Sequence, residues 1–535
     1  MPTSRAATRL LAAAWAGLLL LRGLLLGRGA LADYDERRYY QSLAAVRAVA
    51  HGHWREAAYA LSMTAARPVD ALWRCLPAAG QLAAQRWLGW DVYTYPSLLL
   101  PTGINWLATV GAAWVFYGIC RRLLAEVPLA RQWALVAAVL YASLANTSLY
   151  VRHVLPYDGA LLLLLALLLW VLRWSGRPGA GRWLGLGVGS GLLWLFYPGY
   201  YAGPVLLVAV LADWARPLPW VRRQAGGLVL LGLGFAGPLL AAEALSRVGG
   251  APPFWAVSYD LSLHILQGEP AEGYTFLMKY LWQVEGPLGA LLLALLVLAV
   301  GQGLRALARG GLEAAVPRTP RQRVLAAALL LFLVHATAAA VGHRIVWYGR
   351  LLHLYLPWLV LAAVAALAQL RVRWAPGLGG LATGVALLSF GLFFWAYRPL
   401  AYPPDVLAAY RVGCLPPSQV RTYEEVRVPA SFQFAPRVPW RNCPAARPGD
   451  SDSLTVLVNF ALLYPLIPAT RQPAYTVPAA ARTVLRQPYY GSLPAYQFEG
   501  LGPGERAEMQ RRRFEILLLR MSASPTDVPV ALPLH

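Results

Sequence analysis

The sequence predicts an all-α polytopic membrane protein of about eleven transmembrane helices, followed by a small extracytoplasmic domain of α+β structure. Of the 535 residues, 58% are hydrophobic and only 13% are charged, whereas soluble globular proteins average about 25% charged residues. The mean hydropathy is +0.48. Apolar runs long enough to cross a bilayer alternate with short arginine-rich segments, which is how membrane topology is encoded.

The first apolar run covers roughly residues 10–26. It ends near Ala30-Leu31-Ala32, which resembles a signal-peptidase site, but its length favours an uncleaved transmembrane span. We expect Arg22 and Arg28 to extend outward to the membrane interface. Further spans are expected at residues 98–119, 132–150, 156–172, 183–197, 201–214, 226–245, 287–304, 324–341, 351–370 and 377–396.

The short spans at 183–197 and 201–214 are joined by the turn Tyr197–Tyr200, and one long broken helix is the alternative. Arginines cluster in every second loop, which places those loops and the N-terminus on the cytoplasmic side. The clusters are Arg121, Arg122 and Arg131; Arg173, Arg177 and Arg182; Arg216, Arg222 and Arg223; Arg305, Arg309, Arg318, Arg321 and Arg323; and Arg371 and Arg373. The net charge of +22 is explained by this bias, so no nucleic-acid partner is expected.

We therefore divide the chain into a transmembrane domain, residues 1–397, and an extracytoplasmic soluble domain, residues 398–535. The first outward loop, residues 30–97, contains no span. Apolar residues recur at helical spacing over residues 35–51 and 70–90. These two stretches predict helices lying on the outer leaflet, the second rich in tryptophan.

The predicted soluble domain is rich in proline. A run from Leu454 to Phe460 has the composition of a strand. Residues 505–521 are expected to form a helix and then a strand. Because this segment is predicted to face outward, a Cys414–Cys443 disulfide is plausible.

Asp33, Asp35 and Glu36 follow the first span directly. Three carboxylates within four residues suit a divalent cation, which prefers oxygen ligands. One of them could instead act as a general base. The alternative is structural, because acidic residues also cap the start of a helix.

Two further clusters lie in outward loops. Arg152 and Asp158 flank a very short loop, and a structural ion pair between them is one interpretation. His343, Arg344 and Arg350 place arginine against the topological bias. Arginine suits bidentate capture of phosphate, and contact with lipid headgroups is the alternative.

Asp35–Tyr39 together with His51–Trp54 resembles the pattern D-E-x-R-Y…G-D-W, with His53 in place of the pattern's aspartate. Arg67-Pro68 followed by Leu72-Trp73 occupies the place of a K-P-P-L…W motif. The segment 148–165 is similar to an outward turn and fourth helix of the same proteins.

Residues 185–207 and the segments Tyr348–Arg350 and Tyr355–Pro357 extend the similarity. On these motifs, residues 8–400 resemble bacterial GT-C glycosyltransferases of the dolichyl-phosphate-mannose–protein mannosyltransferase type. This type includes the lipid A aminoarabinose transferases.

The resemblance implies an inverting transferase in the inner or plasma membrane, using a polyprenyl-phosphate sugar donor at the extracytoplasmic face. Asp35 takes the position of the general base, and Asp158 is a second acidic candidate. The acceptor is a lipid, glycan or protein. Donor phosphate is expected to contact Arg38, Arg67, Arg152, His343, Arg344 and Arg350. If a divalent metal is used, Asp33, Asp35 and Glu36 are its candidate ligands, and no other cofactor is implied.

Two other functions remain open from the sequence, a lipid or polysaccharide transporter and a non-catalytic assembly subunit. Transporters are typically built from internal repeats with charges at mid-membrane. No clear repeat is visible in this sequence, and the charges lie at predicted helix ends, which favours the enzyme.

Overall fold

The computed structural model describes residues 3–27, 36, 38–64, 67–90, 92, 95–174, 178–266, 273–311, 313, 316–342, 352–370, 375–399, 420–422, 453–459, 482–488 and 515–522. These residues form seventeen α-helices and four strands. The helices of the first half are α1 (Thr3–Arg22), α2 (Arg38–Ala50), α3 (Trp54–Ser62), α4 (Pro68–Leu88), α5 (Tyr95–Leu123), α6 (Ala130–Ser143), α7 (Asn146–Leu149), α8 (Tyr157–Leu172) and α9 (Ala180–Phe196). The others are α10 (Ala202–Leu211), α11 (Pro217–Gly249), α12 (Phe254–Leu266), α13 (Phe276–Val284), α14 (Gly286–Gly310), α15 (Pro320–Gly342), α16 (Leu356–Ala368) and α17 (Ala375–Tyr397).

A helix is present at each of the eleven expected spans. Six helices in the described part are long and apolar enough to cross a membrane by themselves: α1, α5, α11, α14, α15 and α17. The expected span 132–150 is instead a bent pair, α6 followed by α7 and its continuing turn, with an angle of 56° between the two parts. The remaining apolar helices α8, α9, α10 and α16 are shorter, with ten to seventeen residues each.

The bend after α6 coincides with a contact from a distant segment of the chain. Glu285 lies just before α14, and its carboxylate accepts hydrogen bonds from the backbone N–H groups of Ala145 and Asn146, at 2.6 and 2.9 Å. The side-chain hydroxyl of Thr147 donates to the carbonyl of Leu144 at 2.9 Å. A carboxylate from another helix thus satisfies N–H groups at a new helix start. The sequence of this span alone did not reveal that partner.

The position of Arg22 differs from the expected one at the membrane interface. Arg22 does not extend outward, because its side chain is fully buried. Its guanidinium donates to the carbonyl of Ala142 and to the Thr147 hydroxyl, the latter at 2.6 Å. Because the N–H of Asn146 donates to Glu285, the carbonyl of Ala142 lacks its usual helical partner. The buried guanidinium of Arg22 satisfies that carbonyl. Arg28 lies outside the described residues.

The middle of the helical bundle is formed by α6, α8 and α16, in which most residues are buried. Each is apolar over most of its surface, as expected for helices surrounded by other helices. Around them, α9 and α11 approach closely at glycines. A Cβ on Gly187 would lie 2.1 Å from the carbonyl oxygen of Leu231, and one on Gly234 would lie 2.3 Å from that of Leu184. Small residues permit this close contact between membrane helices.

The two expected interfacial helices of the first loop are present as α2 and α4, with α3 as an additional helix between them. The turn Tyr197–Tyr200 separates α9 and α10 as two helices. Of the tryptophans that predicted an interfacial surface, Trp87 and Trp90 are 78% and 41% exposed, whereas Trp73 is half-buried and packs against the core.

The described strands of the C-terminal region form one sheet, in the order β1-β2-β4-β3. They are β1 (Val420–Thr422), β2 (Ser453–Asn459), β3 (Arg482–Pro488) and β4 (Glu515–Ser522). β1 is parallel to β2, whereas β4 is antiparallel to both β2 and β3. β2 confirms the predicted strand, and β4 confirms the strand expected near residue 521. Cys414, Cys443 and the helix expected from residue 505 lie outside the described residues.

Candidate functional site

A buried acid and a buried imidazole meet where α8 begins. Asp158 lies in the first turn of α8, and its Oδ1 is 3.5 Å from Nε2 of His353 in the turn before α16. Nδ1 of His353 is 2.7 Å from the hydroxyl oxygen of Tyr200. Nε2 of His353 makes no hydrogen bond among the described residues, so its approach to Asp158 is an electrostatic contact, and the tautomer of His353 determines whether the Tyr200 hydroxyl donates to Nδ1 or accepts from it. Oδ2 of Asp158 has no hydrogen-bond partner among the described residues, an arrangement that is rare for a buried acceptor.

Aromatic rings continue this site towards α4. The ring of Tyr150 contacts that of His353 edge-on, with 5.4 Å between the ring centres, and the ring centre of Tyr157 lies 4.8 Å from that of Tyr150. The ring centre of Tyr197 lies 5.0 Å from that of Tyr157. The guanidinium of Arg67 then lies over the ring of Tyr197, 4.9 Å from its centre. These side chains therefore form one continuous set of contacts between Asp158 and Arg67.

Arg67 immediately precedes α4, where Pro68 occupies the first helical position. Its side chain is only 7% exposed. Nε and Nη1 nevertheless have no hydrogen-bond partner among the described residues. A buried guanidinium with unused donors is costly unless an anion completes it. The geometry therefore makes Arg67 a candidate anion-binding residue.

Besides Arg67, two further arginines, Arg74 and Arg38, act electrostatically on the carboxyl of Asp70. Nε of Arg74 donates to Oδ1 of Asp70 at 3.0 Å. Burial raises the pKa of Asp70, and the guanidinium charges of Arg74, Arg67 and Arg38 oppose that rise. Three guanidinium charges therefore act on this one carboxyl. Arg74 also donates to Asn105 at 3.1 Å and to the carbonyl of Leu155, so it links α4 to the loop before α8.

Glu36 is held against that same loop. Its carboxylate accepts the backbone N–H of Val154 and lies 3.3 Å from Nδ1 of His153. Both side chains are buried. Both oxygens of Glu36 thus have protein partners. No group of three metal-ligating side chains occurs within the part of the chain that the structure describes.

Arg152 is buried beside the end of α17. Its Nη1 donates to the carbonyl of Tyr397 at 3.2 Å, and its guanidinium lies 5.0 Å from the centre of the Tyr397 ring. Asp158 lies against the imidazole of His353 instead, so the ion pair considered between Arg152 and Asp158 is replaced by this contact.

The structure thus brings Glu36, Arg38, Arg67, Arg152 and Asp158 to the end of the bundle where α8 begins. The other candidate site residues lie outside the described residues: Asp33, Asp35, His343, Arg344 and Arg350.

Sequence reasoning did not assign His353, Tyr200, Asp70 or Arg74 to the site. The spacing of Asp70 and Arg74, four residues apart on one helix, is a signal that could have paired them. The contact of His353 with Tyr200 joins distant segments, and no local pattern indicates it.

No family model matches the chain, and no curated protein matches it significantly. Among solved structures, the chain is similar to the crystal structure of ArnT from Cupriavidus metallidurans bound to undecaprenyl phosphate. The two share 10% sequence identity with a TM-score of 0.50, over 98% of this chain and 100% of that chain. The chain therefore has a GT-C-like membrane fold, which confirms the predicted fold class.

Proposed function

We propose that the protein is an inverting membrane glycosyltransferase. It moves a sugar from a polyprenyl-phosphate donor to an acceptor hydroxyl at the extracytoplasmic face. The GT-C-like fold supports this proposal, because the structure of similar fold is bound to undecaprenyl phosphate. The observation that carries it is the buried guanidinium of Arg67, whose Nε and Nη1 have no hydrogen-bond partner among the described residues.

Arg67 suits the phosphate of the donor in particular. A guanidinium presents its N–H groups in a planar fork that matches two phosphate oxygens. Arg38 contributes charge from the first turn of α2. We propose that positive charge around the donor phosphate also comes from Arg152, His343, Arg344 and Arg350. If a divalent metal takes part, Asp33 and Asp35 are its proposed ligands, because both oxygens of Glu36, the third candidate, already have protein partners.

The proposed reaction is a single displacement. Asp35 removes the proton from the acceptor hydroxyl while that oxygen attacks the anomeric carbon. The bond between the anomeric carbon and the phosphate oxygen breaks, and polyprenyl phosphate leaves with the bonding electrons. Because the leaving group is an anion, it needs positive charge more than a proton. Glu36 follows Asp35 directly in the chain, so its contacts with the loop before Asp158 support a general base at this end.

The test is a reconstituted assay of the full chain in liposomes with a panel of radiolabelled polyprenyl-phosphate sugars. Wild type is compared with Asp35→Asn and Arg67→Gln. We expect Asp35→Asn to lower turnover by at least about a hundredfold while donor binding persists. Arg67→Gln should lower both donor binding and turnover, the latter by about a hundredfold.

The matched control is Arg86→Gln, because Arg86 is exposed near the end of the same helix α4. Its turnover should equal that of wild type. Donor binding without consumption by wild type would favour an assembly subunit. Movement of intact donor across the bilayer would favour a transporter. Either result would overturn the transferase proposal.

A further inference from the structure

A cavity lies at the opposite end of the bundle from Asp158. Its volume is about 300 Å³, and its walls come from the ends of five helices. Leu172, one of its lining residues, is fourteen residues after Asp158 on α8. At 1.5 Å per residue, the two ends of α8 are about 21 Å apart. The cavity is therefore separate from the site described above.

The walls of this cavity combine indole rings with hydrogen-bond donors. Trp174, Trp183 and Trp220 line it together with Gln224 and Arg323. Nε of Arg323 and Nε1 of Trp174 are buried and have no hydrogen-bond partner among the described residues. None of the described residues lining the cavity is acidic. The unused donors therefore point to an anionic ligand.

The position of the cavity indicates the chemistry of that ligand. Arg323 lies in the first turn of α15, and Trp220 and Gln224 lie in the first turns of α11. Val210 and Leu211, at the end of α10, form an apolar part of the wall. Tryptophan is enriched where headgroups meet acyl chains. A basic pocket between membrane helices at the arginine-rich side fits a phospholipid headgroup.

We propose that this cavity binds the phosphodiester headgroup of an anionic phospholipid, in the leaflet at the arginine-rich ends of the helices. The guanidinium of Arg323 contacts the phosphate, and the Gln224 amide and Trp174 indole donate to its oxygens or to the glycerol. The Trp183 and Trp220 rings pack against the start of the acyl chains. The proposal does not depend on the transferase reaction.

The test is native mass spectrometry of the delipidated full chain in neutral detergent. Phosphatidylglycerol, phosphatidylcholine and free glycerol 3-phosphate are titrated separately. We expect phosphatidylglycerol to bind more tightly than the other two ligands. Arg323→Gln should weaken phosphatidylglycerol binding by about tenfold, as expected for loss of a charge-assisted hydrogen bond.

Gln224→Glu keeps nearly the same shape and places a carboxylate in the cavity, so it should weaken binding similarly. It also preserves the test if Arg323→Gln does not fold. The matched control is Arg305→Gln, an exposed arginine in the last turns of α14 that does not line the cavity. It should bind as wild type does.

Three results would overturn the proposal. The first is equal binding of phosphatidylglycerol by all four proteins. The second is binding of phosphatidylcholine as tight as that of phosphatidylglycerol. The third is binding of glycerol 3-phosphate as tight as that of the lipid, which would make the ligand a soluble phosphate.

Discussion

Nε2 of His353 lies 3.5 Å from Oδ1 of Asp158, with the two side chains 0% and 3% exposed. The first residue precedes α16 and the second begins α8, so this contact joins two turns that are distant in the sequence. The Tyr200 hydroxyl, at the start of α10, holds the other side of the imidazole. One polar network therefore fixes three helix starts relative to one another.

We expect this pair to be coupled energetically. His353→Gln and Asp158→Asn should each lower the free energy of unfolding by about 1–3 kcal/mol, because each removes one member of a buried contact between a carboxyl and an imidazole. The double variant should cost less than the two single effects added, by about 1 kcal/mol or more. Unfolding by SDS in mixed micelles measures all four proteins. Strictly additive effects would show that the two side chains do not interact.

The buried contact between Glu36 and His153 should contribute more to stability than an exposed contact of the same geometry. Glu36→Gln replaces a carboxyl group that accepts a hydrogen bond from a backbone N–H and lies 3.3 Å from Nδ1 of His153. We expect the free energy of unfolding to fall by about 1–3 kcal/mol.

The chain contains a matched control for this substitution. Glu56 lies 3.3 Å from His53, but the Glu56 side chain is 71% exposed. Because solvent screens exposed pairs, Glu56→Gln should leave the unfolding midpoint unchanged within error. Equal losses in the two variants would contradict the importance of burial here.

Close packing between α9 and α11 should depend on Gly187. Its substitution by alanine would place a Cβ 2.1 Å from a backbone oxygen of α11, which cannot rotate away. We expect Gly187→Ala to cost about 1–3 kcal/mol in unfolding free energy. Gly181→Ala is the control on the same helix, because nothing lies within 4 Å of its added Cβ. It should be neutral or slightly stabilising, as alanine favours helices.

The orientation in the membrane is tested by cysteine labelling. In a variant whose four cysteines are replaced by serine, Arg86→Cys and Arg309→Cys each supply one exposed thiol. If the arginine-rich ends are cytoplasmic, an impermeant maleimide added to intact cells should label only the Arg86→Cys protein. Arg309→Cys should react only after the membrane is opened. The reverse pattern would invert the topology and move the proposed site to the cytoplasm.

Cys75 on α4 should react slowly in the folded protein. Burial raises the pKa of its thiol from 9.0 to about 11. Since the thiolate is the nucleophile, alkylation near neutral pH should be about a hundredfold slower than for an ordinary thiol and should rise with pH until about 11. Iodoacetamide labelling followed by mass spectrometry measures the rate. Cys75→Ser combined with Arg86→Cys gives an exposed thiol on the same helix, and equal rates would show that Cys75 is not protected.

Much of the fold could be predicted because lipid imposes a local rule. A span needs a minimum length of apolar residues, and that length is visible in the sequence itself. A helix is present at each of the eleven expected spans, and six of the described helices are by themselves long and apolar enough to cross a membrane. Helices α2 and α4 were predicted from helical periodicity, and strand β2 from its composition. Asp158 was also singled out from a local signal, since charged residues next to apolar spans are rare, whereas Arg67 was singled out by the resemblance of its segment to a family motif. The roles assigned to Asp35, Arg350 and the metal ligands stay predictions.

The features that the sequence did not predict depend on contacts between distant segments. The sequence by itself determined where apolar length and charge lie along the chain. Only the tertiary structure shows the bend after α6, where Glu285 accepts from the backbone N–H of Asn146. Only the tertiary structure shows that Arg22 is buried and donates to Thr147. It alone placed His353 against Asp158. The physical reason is that a buried polar group must find a partner, and that partner is set by packing rather than by sequence neighbours.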